Sequence, residues 1–341
     1  MNDKNTLLSV KDLKIHFPTD EGIVKAVDGI SFDLYPGKTL GIVGESGCGK
    51  STVGKGILNI LEKPGRITGG NIYWNNNGEN IDLASFTSDH KTLRGVRGSE
   101  IALVFQEPMT SFSPVHSVGS QIIEMIRLHK DMNKKEAKEW AMELFDMVGI
   151  PNATTRINDY AHQFSGGLRQ RAMIAMAISC EPKLLIADEP TTALDVTTQA
   201  QILDLLQDLQ EKHKMAMILI THNLGVVAEV CDDVVVMYLG RSAEKGPVDS
   251  IFHDSKHPYT RGLLESIPSI NSKQGERLKS IVGTIPAPFN RPKGCTFHPR
   301  CPSYIKGVCD TYTPEYLPLV NNDDSRLVSC FLHHDPEKEV V

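Results

Sequence analysis

At 341 residues, the chain exceeds the ~250–300 residues at which single hydrophobic cores stop growing, so two domains are expected. Its formal net charge of −6, with both signs interspersed, argues against a nucleic-acid partner, which calls for a basic face. Met1 to Leu13 is polar, without the apolar centre of a signal peptide. No apolar run approaches the ~20 residues of a membrane span, so the expected chain is soluble and meets a membrane only through a partner.

Leu7 to Gly37 alternates apolar residues between turn signals and predicts the opening of an antiparallel sheet. Thr39 to Val43 predicts a short buried strand. The next nine residues are Gly44, Glu45, Ser46, Gly47, Cys48, Gly49, Lys50, Ser51 and Thr52. They fit the phosphate-binding loop, two glycines flanking four residues and then Lys and Ser. The glycines let the backbone turn so that its N–H groups point at phosphate oxygens. Lys50 reaches the β- and γ-phosphates, and the Ser51 hydroxyl ligates Mg²⁺. Thr52 to Leu61 is predicted as a helix whose N-terminus faces the phosphates. Cys48 contributes its backbone to the loop, and its expected exposure would leave the thiol open to oxidation.

Further along, Gly69 to Asp82 reads as a β-rich insertion and Ile101 to Phe105 as a strand. Residues from about 110 to 178 read as helical. In Lys134 to Val148, Ala137, Trp140, Ala141, Leu144, Phe145 and Val148 recur at helical spacing, and Gly149 with Pro151 stops the helix. From Lys183 to Gly240 buried strands alternate with helices, which predicts a parallel sheet. The composition changes near Asp254, dividing the chain into residues 1–254 and a proline-rich extension, 255–341, with four of the seven cysteines.

Five strings stand in a telling order. Gln106 lies in Val104-Phe-Gln-Glu-Pro108. Phe164-Ser-Gly-Gly-Leu-Arg-Gln-Arg171 follows, then Leu184-Leu-Ile-Ala-Asp-Glu-Pro190, Ala193-Leu-Asp195 and Ile218-Leu-Ile-Thr-His222. With the phosphate loop, this set resembles the motifs of ATP-binding cassette (ABC) ATPases over roughly residues 7–255. The resemblance implies an α/β fold: a P-loop ATPase core with an antiparallel β subdomain and a helical subdomain carrying Ser165, Gly166 and Gly167. It implies Mg-ATP as the substrate complex, with Ser51 and Gln106 ligating Mg²⁺ and Asp188 binding it through water. Glu189 would orient or deprotonate the attacking water, and His222 would contact the γ-phosphate. Phe17 would stack on adenine. Arg169 and Arg171 are expected to brace the helix that begins after the signature. Two subunits would close head-to-tail around two ATPs, the signature of each completing the other's site.

The extension adds Ile251 to Pro268, Thr284-Ile-Pro-Ala-Pro288 and Gly294-Cys-Thr-Phe-His-Pro-Arg-Cys-Pro302. These resemble the C-terminal extension of ATPase subunits from bacterial dipeptide/oligopeptide importers. The implied partners are two membrane permeases, a second ATPase subunit and, indirectly, an extracytoplasmic peptide-binding protein. The implied location is the cytoplasmic face of the membrane. An ABC ATPase for another solute such as nickel or a sugar, or one acting in DNA repair or translation, is the alternative. Cys295, Cys301, Cys309 and Cys330 fall within 36 residues, with gaps of five, seven and twenty. Disulfides do not suit a reducing compartment. Zinc, with His298 as an added donor, lacks its short Cys-x₂₋₄-Cys knuckles. A [4Fe–4S] cluster takes four thiolates, and Cys301-Pro302 resembles the Cys-Pro ending of ferredoxin motifs. Spacing alone leaves cluster, zinc and free thiols open. Cys180 and Cys231 are expected as small core residues.

Overall fold

The computed structural model describes residues 5–76, 78–107, 111–192, 194–267, 280–320 and 323–334. They fold as two compact units, one of Met1–Leu34, Thr39–Ser85 and Thr221–Val341, the other of Tyr35–Lys38 and Phe86–Ile220. The first begins with β1 (Leu8–Thr19), β2 (Gly22–Leu34), β3 (Thr39–Val43), β4 (Arg66–Asn76) and β5 (Glu79–Asp82). Four of these make the expected antiparallel sheet, in the order β2-β1-β4-β5. The register of β1 shifts between Val10 and Leu13. Both side chains are fully buried despite their odd spacing, because the irregularity absorbs the residue that would otherwise turn one outward.

The second unit holds β6 (Ile101–Val104), β7 (Leu184–Asp188) and β8 (Ala216–Thr221), parallel and ordered β8-β7-β6. All of β7 and β8 is buried, which accounts for their unbroken apolar runs. The helix Lys134–Met147 opens on an Asn133/Glu136 capping box and buries Ala137, Ala141, Leu144 and Phe145, as the stripe predicts. Phe164 meets Phe145 edge-on, ring centres 6.3 Å apart, and so anchors the start of the next helix, Gly166–Ile178.

The first unit is completed by β9 (Asp233–Tyr238), β10 (Arg241–Pro247), β11 (Leu317–Val320) and β12 (Asp323–Val328), with strand order β11-β12-β10-β9-β3. β3 and β9 are parallel; β9–β10, β10–β12 and β11–β12 are antiparallel. Asp254 ends the helix Val248–Asp254 inside this unit. One core runs across that position: Val43, Val236, Tyr238, Ile251, Tyr259 and Phe297 belong to a single buried cluster. The cysteine-bearing segment therefore leans on the phosphate-loop strand for its core. Among the described residues no helix is long and apolar enough to cross a membrane.

Candidate active site

In the first unit, the buried strand β3 delivers the chain into the loop 44–49. Gly44 has φ 155° and Gly49 φ 101°. A Cβ at Gly44 would stand 2.2 Å from the Met237 carbonyl oxygen, and one at Gly49 2.0 Å from that of Ala26. Only glycine fits either place. The helix is Lys50–Ile57, beginning and ending earlier than its expected span of Thr52 to Leu61. Gly49 caps it without a side-chain bond, so the first turn presents N–H groups and the positive end of the helix dipole. Lys50 is buried, and its ammonium donates to the carbonyls of Gly44 (2.9 Å) and Glu45 (3.2 Å). Ser51 and Thr52 are half-buried in the first turn.

Cys48 corrects the sequence reading. It is 3 % exposed, and burial pushes its thiol up to about 11. The thiol is neither open nor ionised at neutral pH, so the proposed oxidation has no foothold. Phe17 is half-buried on β1, with its ring against Gly65, where a Cβ would come within 2.3 Å of Phe Cε1. His222 is exposed just past the end of β8, followed by Asn223, which caps the helix Leu224–Val230.

In the second unit, β7 ends at the buried Asp188. Glu189 follows with φ +45°, a left-handed conformation rare for a non-glycine residue. Its N–H donates to the Ile220 carbonyl at 2.9 Å. That turn aims the carboxylate at two donors: Gln106 Nε2 at 3.0 Å and Thr192 Oγ1 at 2.9 Å, both to Oε2. Gln106 and Glu189 are thus brought together across 83 positions. Thr192 was missed by sequence reasoning; the tight turn Glu189-Pro190-Thr191-Thr192, closed by a Thr192 N–H to Glu189 carbonyl bond of 3.1 Å, is the signal that could have found it.

Ser165 is the N-cap of the Gly166–Ile178 helix, accepting from the Leu168 N–H at 3.4 Å. Ser165 and Gly166 are exposed. The signature therefore forms the helix's first turn; the helix does not start after it, as expected. Arg169 does brace it, donating to the Ala161 carbonyl at 2.7 Å, and Arg171 donates to the Val148 carbonyl at 2.6 Å. Asp195 caps the helix Val196–His213 and holds the Thr198 hydroxyl at 2.8 Å. Ala193 lies outside the described residues.

All four cysteines of the extension are free thiols, Cys309 and Cys330 buried, Cys295 and Cys301 half-buried. The Cys295 N–H donates to the Cys309 carbonyl at 2.8 Å. Burial pushes Cys295 up to about 12 and Cys330 up to about 11, and their fellow cysteines add to both shifts. His298 is turned to the Cys295 carbonyl through Nδ1 at 2.9 Å. Among the described residues, no group of three or more His, Cys, Asp or Glu side chains is spaced to hold a metal ion. The spacing of these thiols supports neither zinc nor any other single-ion site.

A glycine-shaped phosphate loop, a strand-end Asp-Glu pair and a capped Ser-Gly-Gly helix start define an ATP-binding cassette ATPase. The ABC transporter family model matches residues 27–192, and the model for the oligopeptide/dipeptide transporter C-terminal region matches residues 243–309. The chain is 46 % identical to the dipeptide transport ATP-binding protein DppD of Bacillus subtilis, over 98 % of this chain and 97 % of that one. It is equally identical to the oligopeptide transport ATP-binding protein AppD of the same organism, over 98 % and 99 %. A solved dimeric structure of the cassette MJ0796, in a post-hydrolysis state bound to ADP and Pi, superposes with TM-score 0.62 at 25 % identity, covering 71 % of this chain and 98 % of that one. The chain belongs to the ABC transporter family, in the group of ATP-binding proteins that carry the oligopeptide/dipeptide transporter C-terminal region.

Proposed function

We propose that this ATPase powers the import of dipeptides or oligopeptides through partner membrane permeases. The observation that carries the catalytic part is the Glu189 carboxylate, held by Gln106 and Thr192 beside the buried Asp188. The peptide class rests on the C-terminal region and on what the relatives are named for. Lys50 and the N–H groups of residues 44–52 bind the phosphates. Ser51, Gln106 and Asp188 would each bring an oxygen ligand suited to Mg²⁺, which when bound would neutralise phosphate charge. Gln106 spends its N–H on Glu189 and keeps its carbonyl for that role. Glu189 orients a water and takes its proton as the water oxygen bonds to the γ-phosphorus and the bond to ADP breaks. His222 contacts the γ-phosphate, and Phe17 lies at the adenine.

The working assembly in this reading has two permeases, a second ATPase subunit (a copy or a paralogue) and an extracytoplasmic binding protein that delivers the peptide. It sits at the cytoplasmic face of the membrane. Ser165, Gly166 and Gly167 complete the ATP site of the second subunit, an exposed helix start suited to an anion. Cys295, Cys301, Cys309 and Cys330 would supply the four thiolates that a [4Fe–4S] cluster takes. Its part is to order the extension. Protein purified without oxygen is then brown with about four irons per chain; colourless, iron-free protein contradicts the cluster alone. The import reading is tested by affinity purification from the native membrane. Recovery of two permeases with a second ATPase subunit supports it; recovery with soluble proteins only contradicts it.

A further inference from the structure

Glu45 is an awkward residue for its place. It puts a carboxylate in a loop built to hold phosphates, and like charges at short range repel. The structure shows how that charge is met, and by which part of the chain. Arg300 Nη1 donates to Glu45 Oε2 at 2.7 Å, and Arg300 Nη2 donates to Oε1 at 3.0 Å. This is a two-pronged pair across 255 positions, with the Arg side chain 4 % and the Glu side chain 23 % exposed. Two further Arg300 N–H groups are also used: Nε donates to the Val282 carbonyl at 3.2 Å, and Nη1 reaches the Tyr238 hydroxyl at 3.4 Å. The backbone of Glu45 is held from the same side, its N–H donating to the Tyr259 hydroxyl at 3.0 Å. Its carbonyl accepts from Lys50 at 3.2 Å.

The aim of Arg300 follows from its neighbours. It closes the single turn His298–Arg300, directly after Phe297. Phe297 is 2 % exposed and packs against Tyr238 and Tyr259, ring centres 5.3 Å away in both cases. The same aromatic cluster therefore sets both groups that reach Glu45.

We propose that Arg300 and Tyr259 are positioning residues of the ATP site: Arg300 draws the Glu45 carboxylate aside and cancels its charge, and Tyr259 pins its backbone, so the extension tunes nucleotide affinity. This rests on the ATPase reading of the loop. The unpaired carboxylate, left behind without Arg300, would compete with phosphate for Lys50 and repel it.

The test measures Mg-ATP binding by titration calorimetry on the full chain, in the wild type, Arg300→Gln, Glu45→Gln and the double variant. Arg300→Gln weakens binding about tenfold on the wild-type background and less than about twofold on the Glu45→Gln background, a coupling of ordinary size for two contacting charges. Equal losses on both backgrounds, or no loss on either, overturn the proposal; a merely structural Arg300 gives the first. If Arg300→Gln does not accumulate, Arg300→Lys is read instead, with a smaller loss that Glu45→Gln again removes; a loss that persists in the double variant is the overturning result. Lys50→Ala separates the two layers. Its failure to weaken Mg-ATP binding would undo the ATP reading itself, whatever Arg300 does.

Discussion

The phosphate loop and the cysteine segment lie in one unit and lean on one buried cluster, yet they are made differently. The loop at residues 44–49 is a backbone device. Its shape comes from glycines placed where a Cβ would strike a carbonyl. The segment from Cys295 to Cys330 is a side-chain device. Its thiols, its Phe297 and its Arg300 matter through what they meet elsewhere in the chain. A backbone device depends on contiguous residues and tolerates few substitutions. A side-chain device depends on a shared core, so damage to that core should reach whatever it positions.

The largest expected effect therefore comes from the core between them. Phe297→Ala should cost about 3–5 kcal/mol of stability, the usual toll for emptying a buried aromatic. Because Phe297 sets Arg300 and Tyr259, Mg-ATP affinity should fall as well. Calorimetric melting with nucleotide titration checks both. Lost stability with unchanged affinity would show that the two devices merely share a wall.

Gly49→Ala probes the backbone device. The new methyl meets the Ala26 carbonyl at 2.0 Å and φ is +101°, so about 2–3 kcal/mol of strain is expected. Binding of Mg-ATP should be lost while the extension's own thiol chemistry is unaltered, as read by thiol titration. Retained binding would break the comparison, because the loop would then tolerate what its geometry forbids.

The smallest effect is in pH. Burial pulls His257 down to about 3, with His333 adding to the shift. Its Nδ1 accepts the Tyr259 N–H at 3.0 Å. The unfolded chain takes up a proton below about pH 6.5 that the folded chain refuses down to about 3, so stability falls as pH drops through that window. Between pH 7.5 and 5 this amounts to about 2 kcal/mol. His257→Gln should flatten that part of the pH dependence of the melting temperature. An unchanged slope would show that His257 does not contribute it.

What could be read from the chain alone follows the same division. Strand, loop and helix were evident around Gly44 to Ser51 because the chemistry there is contiguous, and only the helix ends moved. Glu189 and His222 were placed by apolar runs that stop at polar residues. The bond from Gln106 to Glu189, the pairing of Arg300 with Glu45 and the burial of Cys48 were not visible. Each depends on which distant strand ends meet, and no local periodicity carries that information. The extension's composition suggested a separate domain beyond residue 254. Its strands β11 and β12 instead extend the sheet of β10, because a segment so poor in long apolar runs finds its core on its neighbours.

Glu189→Gln reads the central claim most directly, with phosphate release and Mg-ATP binding measured on the same preparation. The substitution keeps the shape of the side chain and its contacts with Gln106 and Thr192 within reach, and removes the charge. Turnover should fall by about 10²–10⁴-fold, the range for a lost general base, while Mg-ATP binding stays close to that of the wild type. Phosphate release at the wild-type rate would contradict the assignment of this carboxylate as the catalytic base.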